Sequence, residues 1–247
     1  MARGAVEIAV QDVAGVLIAQ AAGAHRVELC VGLAATGGLT PPIGLIEAAV
    51  ATGLPVHPLI RARPGGFCYD AVELDVLARD VRAAVRAGAA GVVVGALTSA
   101  GEVDVFAISV LVEAADGADV TFHRALDVIS DARSALDLLA DLGVTRVLTS
   151  GGAATAPEGL GALAMLATHA HATGGRVQVM AGGGVRVPDI GALFATGIDA
   201  IHLSARRAAH DAGATGPGGG TGGYDVTDDV TVHAAIVAAV SFRTADG

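Results

Sequence analysis

The chain has 247 residues, 53% apolar and 16% charged, with 25 acidic against 15 basic side chains and a formal net charge of −10. A chain this apolar folds around a core rather than staying disordered, and one this acidic lacks the positive field that nucleic acid or an anionic membrane requires. All 15 cations are Arg, so a Schiff-base lysine, a pyridoxal-phosphate lysine and a P-loop are excluded; with no Asn either, a Cys-His-Asn nucleophile is excluded too.

Short β-branched runs recur in chain order near residues 6–10, 26–30, 56–60, 91–94, 120–123, 146–149, 177–180 and 200–203. Most are apolar on both faces, as in parallel strands covered by helices. The stretches between them, such as 74–87 and 131–142, are rich in Ala and Leu with charges at helical spacing. Gly23, Gly88, Gly143 and Gly197 each stand about three residues before such a run. That is the place of a left-handed glycine closing a helix ahead of a short turn into a strand. The spacing implies two βα units between successive glycines and eight in all. The predicted fold is therefore α/β, a single (β/α)8 TIM barrel spanning residues 1–247. An open doubly wound sheet is the alternative.

Residues 213–223 hold seven glycines and Pro217, which predicts a mobile loop after the last strand. A closing helix is expected at about 229–243. Cys30 and Cys68 are the only cysteines, too few for a disulfide framework, so a reducing cytoplasm is expected. No run is long and apolar enough to suggest a membrane span.

Barrel chemistry sits at the C-terminal strand ends. Glu28 and Cys30 stand there on the second strand, and Arg61 on the third. His123 and Arg124 end the fifth, and Ser150 and Gly151 the sixth. Gly182 and Gly183 follow the seventh, and Ser204 the eighth, which also carries His202. Glu28 and Arg61 could meet as an ion pair. Glu28 and His123 are candidate acid and base, since carboxylates with tuned pKa and imidazoles both exchange protons near neutrality. Arg61, Arg124, Ser150, Gly151, Gly182, Gly183 and Ser204 are candidate ligands for an anion, through guanidinium forks, hydroxyls and glycine-rich backbone. Cys30 is a soft donor able to take Cu(I), although a tight site wants two or three such ligands.

Taken in order, six strings carry a resemblance. They are Val27-Glu28-Leu29-Cys30, Gly37-Gly38-Leu39-Thr40-Pro41, Ile60-Arg61, Val120-Thr121-Phe122-His123-Arg124-Ala125, Arg146-Val147-Leu148-Thr149-Ser150-Gly151 and Met180-Ala181-Gly182-Gly183-Gly184-Val185. Together they resemble the CutC family of copper homeostasis proteins over nearly the whole chain. The resemblance implies a cytoplasmic, homo-oligomeric (β/α)8 barrel connected with copper binding, with Cys30 as a Cu(I) ligand and Glu28, Arg61, His123 and Arg124 as the polar mouth. Two departures stand out. Ala9 follows Glu7-Ile8 where related sequences tend to carry Cys, which removes a natural second thiolate. Ala62-Arg63-Pro64 stands where they tend to read Pro-Arg. Two functions follow from these residues: copper homeostasis through bound Cu(I), or metal-independent acid–base chemistry (lyase, isomerase or hydrolase) on a small anionic metabolite.

Overall fold

The computed structural model describes residues 4–210, 213 and 223–245. Eight parallel strands form one sheet: β1 (Ala5–Val10), β2 (Arg26–Leu29), β3 (Val56–Pro58), β4 (Gly91–Val94), β5 (Asp119–Phe122), β6 (Arg146–Thr149), β7 (Gln178–Ala181) and β8 (Ala200–Leu203). Their order is β3-β2-β1-β8-β7-β6-β5-β4. The two ends of that order meet. Leu59 bridges Val93 in parallel, the Ile60 N–H donates to the Val93 carbonyl at 2.8 Å, and the Ala90 N–H donates to Val56 at 3.0 Å. The sheet is therefore the barrel anticipated from the eight-unit spacing, not an open doubly wound sheet. Pro58 has no N–H to donate, and the β3–β4 seam is reduced to the single Leu59–Val93 bridge.

The helices form the outer layer: α1 (Val13–Ala22), α2 (Leu33–Thr36), α3 (Ile43–Val50), α4 (Ala71–Arg86), α5 (Val105–Ala114), α6 (Ala132–Asp141), α7 (Leu160–Ala172), α8 (Ile190–Ala195) and α9 (Asp229–Ala245). Local chemistry sets both ends of the repeating unit. Asp12, Asp70, Asp104 and Asp131 cap α1, α4, α5 and α6 through side-chain acceptors, each worth about 1 kcal/mol. At the return turns Gly23, Gly88, Gly143 and Gly197 all have φ between 86° and 93°, the left-handed conformation that other residues adopt only with strain.

Alternation along the strands separates two interiors. Outward residues such as Val6, Ile8, Val27, Leu29, Val92, Phe122, Val147 and Ile201 join the helices in the main apolar core. Inward residues form small apolar clusters, Ala5 with Leu148, Met180 and Ala200, and Cys30 with Leu59 and Val93. Between these lies a buried polar set: Glu7, Arg26, Glu28, His57, Thr121, His123 and Arg146. At the N-terminal end, Arg146 is held by Thr121 Oγ1 at 3.0 Å and Gln178 Oε1 at 3.1 Å.

Beyond β8, an antiparallel pair absent from the sequence reading joins β9 (Arg206–His210) to β10 (Gly223–Thr227). The predicted glycine-rich loop lies outside the described residues except for Gly213 and Gly223, and Gly223 opens β10. Among the described residues no helix is long and apolar enough to cross a membrane.

Candidate active site

Parallel register explains how residues distant in sequence meet. β1 lies between β2 and β8, so Glu7 is level with both Arg26 and His202. The wholly buried Glu7 carboxylate accepts from Arg26 Nε and, at 2.8 Å, from His202 Nδ1. One layer higher, Ala9 stands beside Glu28. The other imidazole nitrogen, His202 Nε2, lies 3.7 Å from Glu28 Oε2. One imidazole thus faces two carboxylates, one deep and one at the mouth.

These groups hold their protons differently. Burial alone would raise Glu7, but Arg26 and the His202 bond outweigh it and keep Glu7 well below the usual carboxylate range. Glu28 is pushed up to about 7, mainly by burial and also by the Glu7 charge, with His202 opposing. Burial works against a charged His202, yet Glu28 and Glu7 raise it above an ordinary histidine. Glu28 therefore titrates near neutral pH beside a histidine held above its ordinary range.

His123 follows β5 and is buried, its ring against the face of Gly95 and 4.6 Å from the Phe67 ring centroid. Its Nδ1 accepts from the Ala125 N–H at 3.1 Å, so the neutral ring carries its proton on Nε2. Nε2 is buried with no partner among the described residues. Burial first, then the Arg61 charge, push His123 down to about 3. His57, deeper in the barrel, is pushed down to about 4, chiefly by burial.

Arg61 is 7% exposed. Its guanidinium donates to the carbonyls of Thr36 (2.7 Å), Gly38 (3.1 Å) and Gly65 (2.7 Å) and lies 5.4 Å from the centre of the Phe67 ring. Among the described residues no carboxylate pairs with it. The anticipated Glu28–Arg61 pair is not formed, because the β8–β1–β2 register gives Glu28 to His202.

Arg124 is arranged oppositely. It donates to Asp127 at 2.8 Å and to Ser150 Oγ at 3.0 Å, and its guanidinium lies against Gly183, where a Cβ would come within 2.8 Å. The Asp127 carboxylate also collects the N–H groups of Ser150 (2.9 Å) and Gly152 (3.1 Å). The glycine-rich backbone after β6 is thereby filled by an internal anion.

A cavity of about 500 Å³ opens at this end of the barrel. Among the residues singled out in the sequence, Glu28, Arg61, His123, Arg124, Gly183 and Ser204 line it, joined by His202, Phe67 and Arg206. Ser150, Gly151 and Gly182 stand behind this lining. Ser150 steadies Arg124, the Gly151 N–H bonds Thr149 Oγ1 at 2.8 Å, and Gly182 backs onto Leu148 and His202. His202 was legible as an inward residue of β8, but its two carboxylate partners were not. In the sequence Phe67 stood only at the end of the altered 60–67 stretch, with no role attached to it.

Cys30 does not reach the cavity. It is fully buried against Leu59, Val93 and Leu33, and burial pushes its thiol well above the ordinary thiol range. Cys68 is exposed, and Met180 Sδ is engaged by Arg26 at 3.1 Å. Among the described residues no three His, Cys, Asp or Glu side chains cluster with metal-holding geometry. This donor set does not fit Cu(I) held at Cys30.

Fold and site define a (β/α)8 barrel with a buried polar constellation at its C-terminal mouth. The CutC family profile matches residues 5–207. A CutC family protein of Caulobacter vibrioides (strain NA1000 / CB15N) is 44% identical over 81% of this chain and 80% of its own length. One of Xanthomonas axonopodis pv. citri is 47% identical over 81% and 83%. The chain belongs to the CutC family, as its motif strings suggested. The crystal structure of CutC from Streptococcus agalactiae, a protein named for copper homeostasis, superposes with a TM-score of 0.75 at 33% identity, over 82% of this chain and 98% of that one. Deoxyribose phosphate aldolase from Aeropyrum pernix, at 20% identity and TM-score 0.60 over 82% of this chain and 86% of that one, shares the fold alone.

Proposed function

We propose that this protein is a metal-independent acid–base enzyme acting on a small anionic metabolite. One observation carries the reading: a carboxyl group that titrates near neutrality, Glu28, lines a cavity and is backed by His202 and Glu7. A purely structural barrel interior has no need of such a group at its mouth, whereas catalytic acids and bases are tuned toward the working pH. Glu28 takes and returns the proton. His202, between two carboxylates, keeps Glu28 from rising further and can hold the proton in turn. His123, neutral with Nδ1 occupied, supplies a fixed Nε2–H donor to a developing negative charge rather than acting as a base. Arg61 and Arg124 supply positive potential for an anion. The reaction class is proton transfer, within a lyase, isomerase or hydrolase.

Copper homeostasis, the role attached to the name of the Streptococcus agalactiae relative, is the second reading. Family membership supports it, while the apolar surroundings of Cys30 speak against that thiol as the ligand. A reducing cytoplasm suits either reading, since Cys30 and Cys68 differ too much in exposure to suggest a disulfide.

The test is a thermal-stability screen with small anions. A ligand at roughly 100 times its Kd stabilises the fold by about 3 kcal/mol. The gain should disappear in His123→Ala and Arg124→Ala variants that still fold. If no small anion stabilises the wild type, the enzyme reading fails.

A further inference from the structure

We propose that Arg61 and His123 form the seat of a substrate carboxylate, so that the metabolite is a small carboxylic acid rather than a phosphate ester. The inference rests on the reading of the mouth as an enzyme site and names the anion that site takes.

The argument begins with a count of donors. A guanidinium has five N–H groups. In Arg61 the two on Nη1 are satisfied by Thr36 and Gly38, and one on Nη2 by Gly65. The Tyr69 hydroxyl also stands within hydrogen-bonding reach of this guanidinium. Among the described residues, Arg61 Nε is buried without a partner, and so is His123 Nε2–H. Both side chains line the cavity, are more than nine-tenths buried, and pack against Phe67. Burying a guanidinium without a counter-charge and leaving two donors unpaired is costly unless an acceptor completes the site. Three carbonyls fix the guanidinium in place, so its orientation is set before any ligand arrives.

Charge and shape select the class of anion. Arg61 contributes one positive charge unmatched by a carboxylate, which suits a monoanion. One donor from the guanidinium and one from the imidazole suit the two oxygens of a planar carboxylate. A phosphate dianion is better served by backbone N–H groups together with more than one cation. The amides of the β6 loop, Ser150 and Gly152, are already bound to Asp127, which also engages Arg124. The seat is flanked by Phe67 and Leu59, with Glu28 and His202 lining the same cavity. The carbon next to a seated carboxylate therefore shares the cavity with the proton-transfer pair.

The test titrates the intact protein with glycolate and pyruvate as probe carboxylates and with inorganic phosphate as the tetrahedral anion. Heat is one readout, and the His123 Nε2–H signal of 15N-histidine-labelled protein is the other. The expected result is saturable carboxylate binding that moves this signal, and binding about tenfold or more weaker in Arg61→Lys, which keeps the charge but loses the Nε–H donor. Arg61→Lys could loosen the loop held by the three carbonyls. His123→Phe, which removes the donor but keeps ring packing on Phe67, provides a second variant and should also weaken binding. Phosphate binding as tightly at the same residues, carboxylate binding that leaves the His123 signal unmoved, or no binding at all overturns the proposal. Glu28→Gln separates the two readings. Carboxylates that bind it normally while no proton-transfer activity is ever found leave the seat standing and remove the enzyme. Activity dependent on Glu28 with carboxylates bound away from Arg61 removes the seat alone.

Discussion

His202 Nδ1 donates to Glu7 Oε1 at 2.8 Å across the closure of the barrel, joining the first strand to the last. The same ring turns Nε2 toward Glu28, so the mouth carboxyl is electrostatically tied to a carboxylate deep in the barrel. Because His202 opposes the upward push on Glu28, the variant His202→Gln should shift the Glu28 titration to a pH above its position near 7. Carbon-13 NMR of labelled glutamate carboxyls would follow the shift. A downward shift or none would mean the two groups are not coupled.

Glu28 itself should leave a signature in stability. Its folded pKa of about 7 lies above the ordinary 4.5. Below pH 4.5 both folded and unfolded chains hold the proton. Between 4.5 and 7 the unfolded chain releases it while the folded one keeps it, so stability falls as pH rises through that window and stays reduced above it. Glutamine has no proton to release. Glu28→Gln should therefore gain on the wild type between pH 4.5 and 7, by on the order of 1–3 kcal/mol, in paired urea denaturation curves. A constant difference across that range would contradict the shift.

Asp127 joins the Arg124 guanidinium to the β6 loop. Asp127→Ala leaves the Ser150 and Gly152 amides and Arg124 without their shared acceptor. The expected loss is about 2–4 kcal/mol, together with weaker ligand binding. Asp127→Asn keeps one acceptor oxygen and should lose less. Equal stability of all three proteins would show that the carboxylate is not what holds the loop.

Cys30 should be chemically inert in the folded chain. It is fully buried with a raised pKa, whereas Cys68 is exposed. Alkylation with iodoacetamide followed by mass spectrometry should modify Cys68 alone until denaturant is added. Anaerobic Cu(I) titration against a competing chelator should give the same weak uptake in the wild type and in Cys30→Ser. One tight equivalent lost in Cys30→Ser would restore the copper reading.

The fold was legible because its signals are local. Four glycines placed before strands announced the return turns, and all four adopt the left-handed conformation. Runs such as Gly91–Val94 are β-branched enough to be recognised alone. The candidate site was legible only as a set of strand-end residues. Their pairing depends on β8 lying beside β1, which brings residue 202 beside residue 7 and within reach of residue 28. No sequence period encodes that contact, so Glu28 was matched with Arg61 instead. Asp127 follows β5 closely in the chain, but its hold on the β6 amides requires a tertiary contact between two loops. The β9–β10 pair was hidden because its strands are short, Ala- and Arg-bearing, and flank a glycine-rich stretch.

The central claim is that Glu28 moves a proton on a small anionic metabolite. The most direct test is to incubate a mixture of small carboxylates in D2O with the wild type and with Glu28→Gln, and to read the masses of all components. The account predicts that one carboxylate gains deuterium at carbon, or is converted, with the wild type and not with the variant. No change with the wild type, or the same change with both proteins, would contradict it.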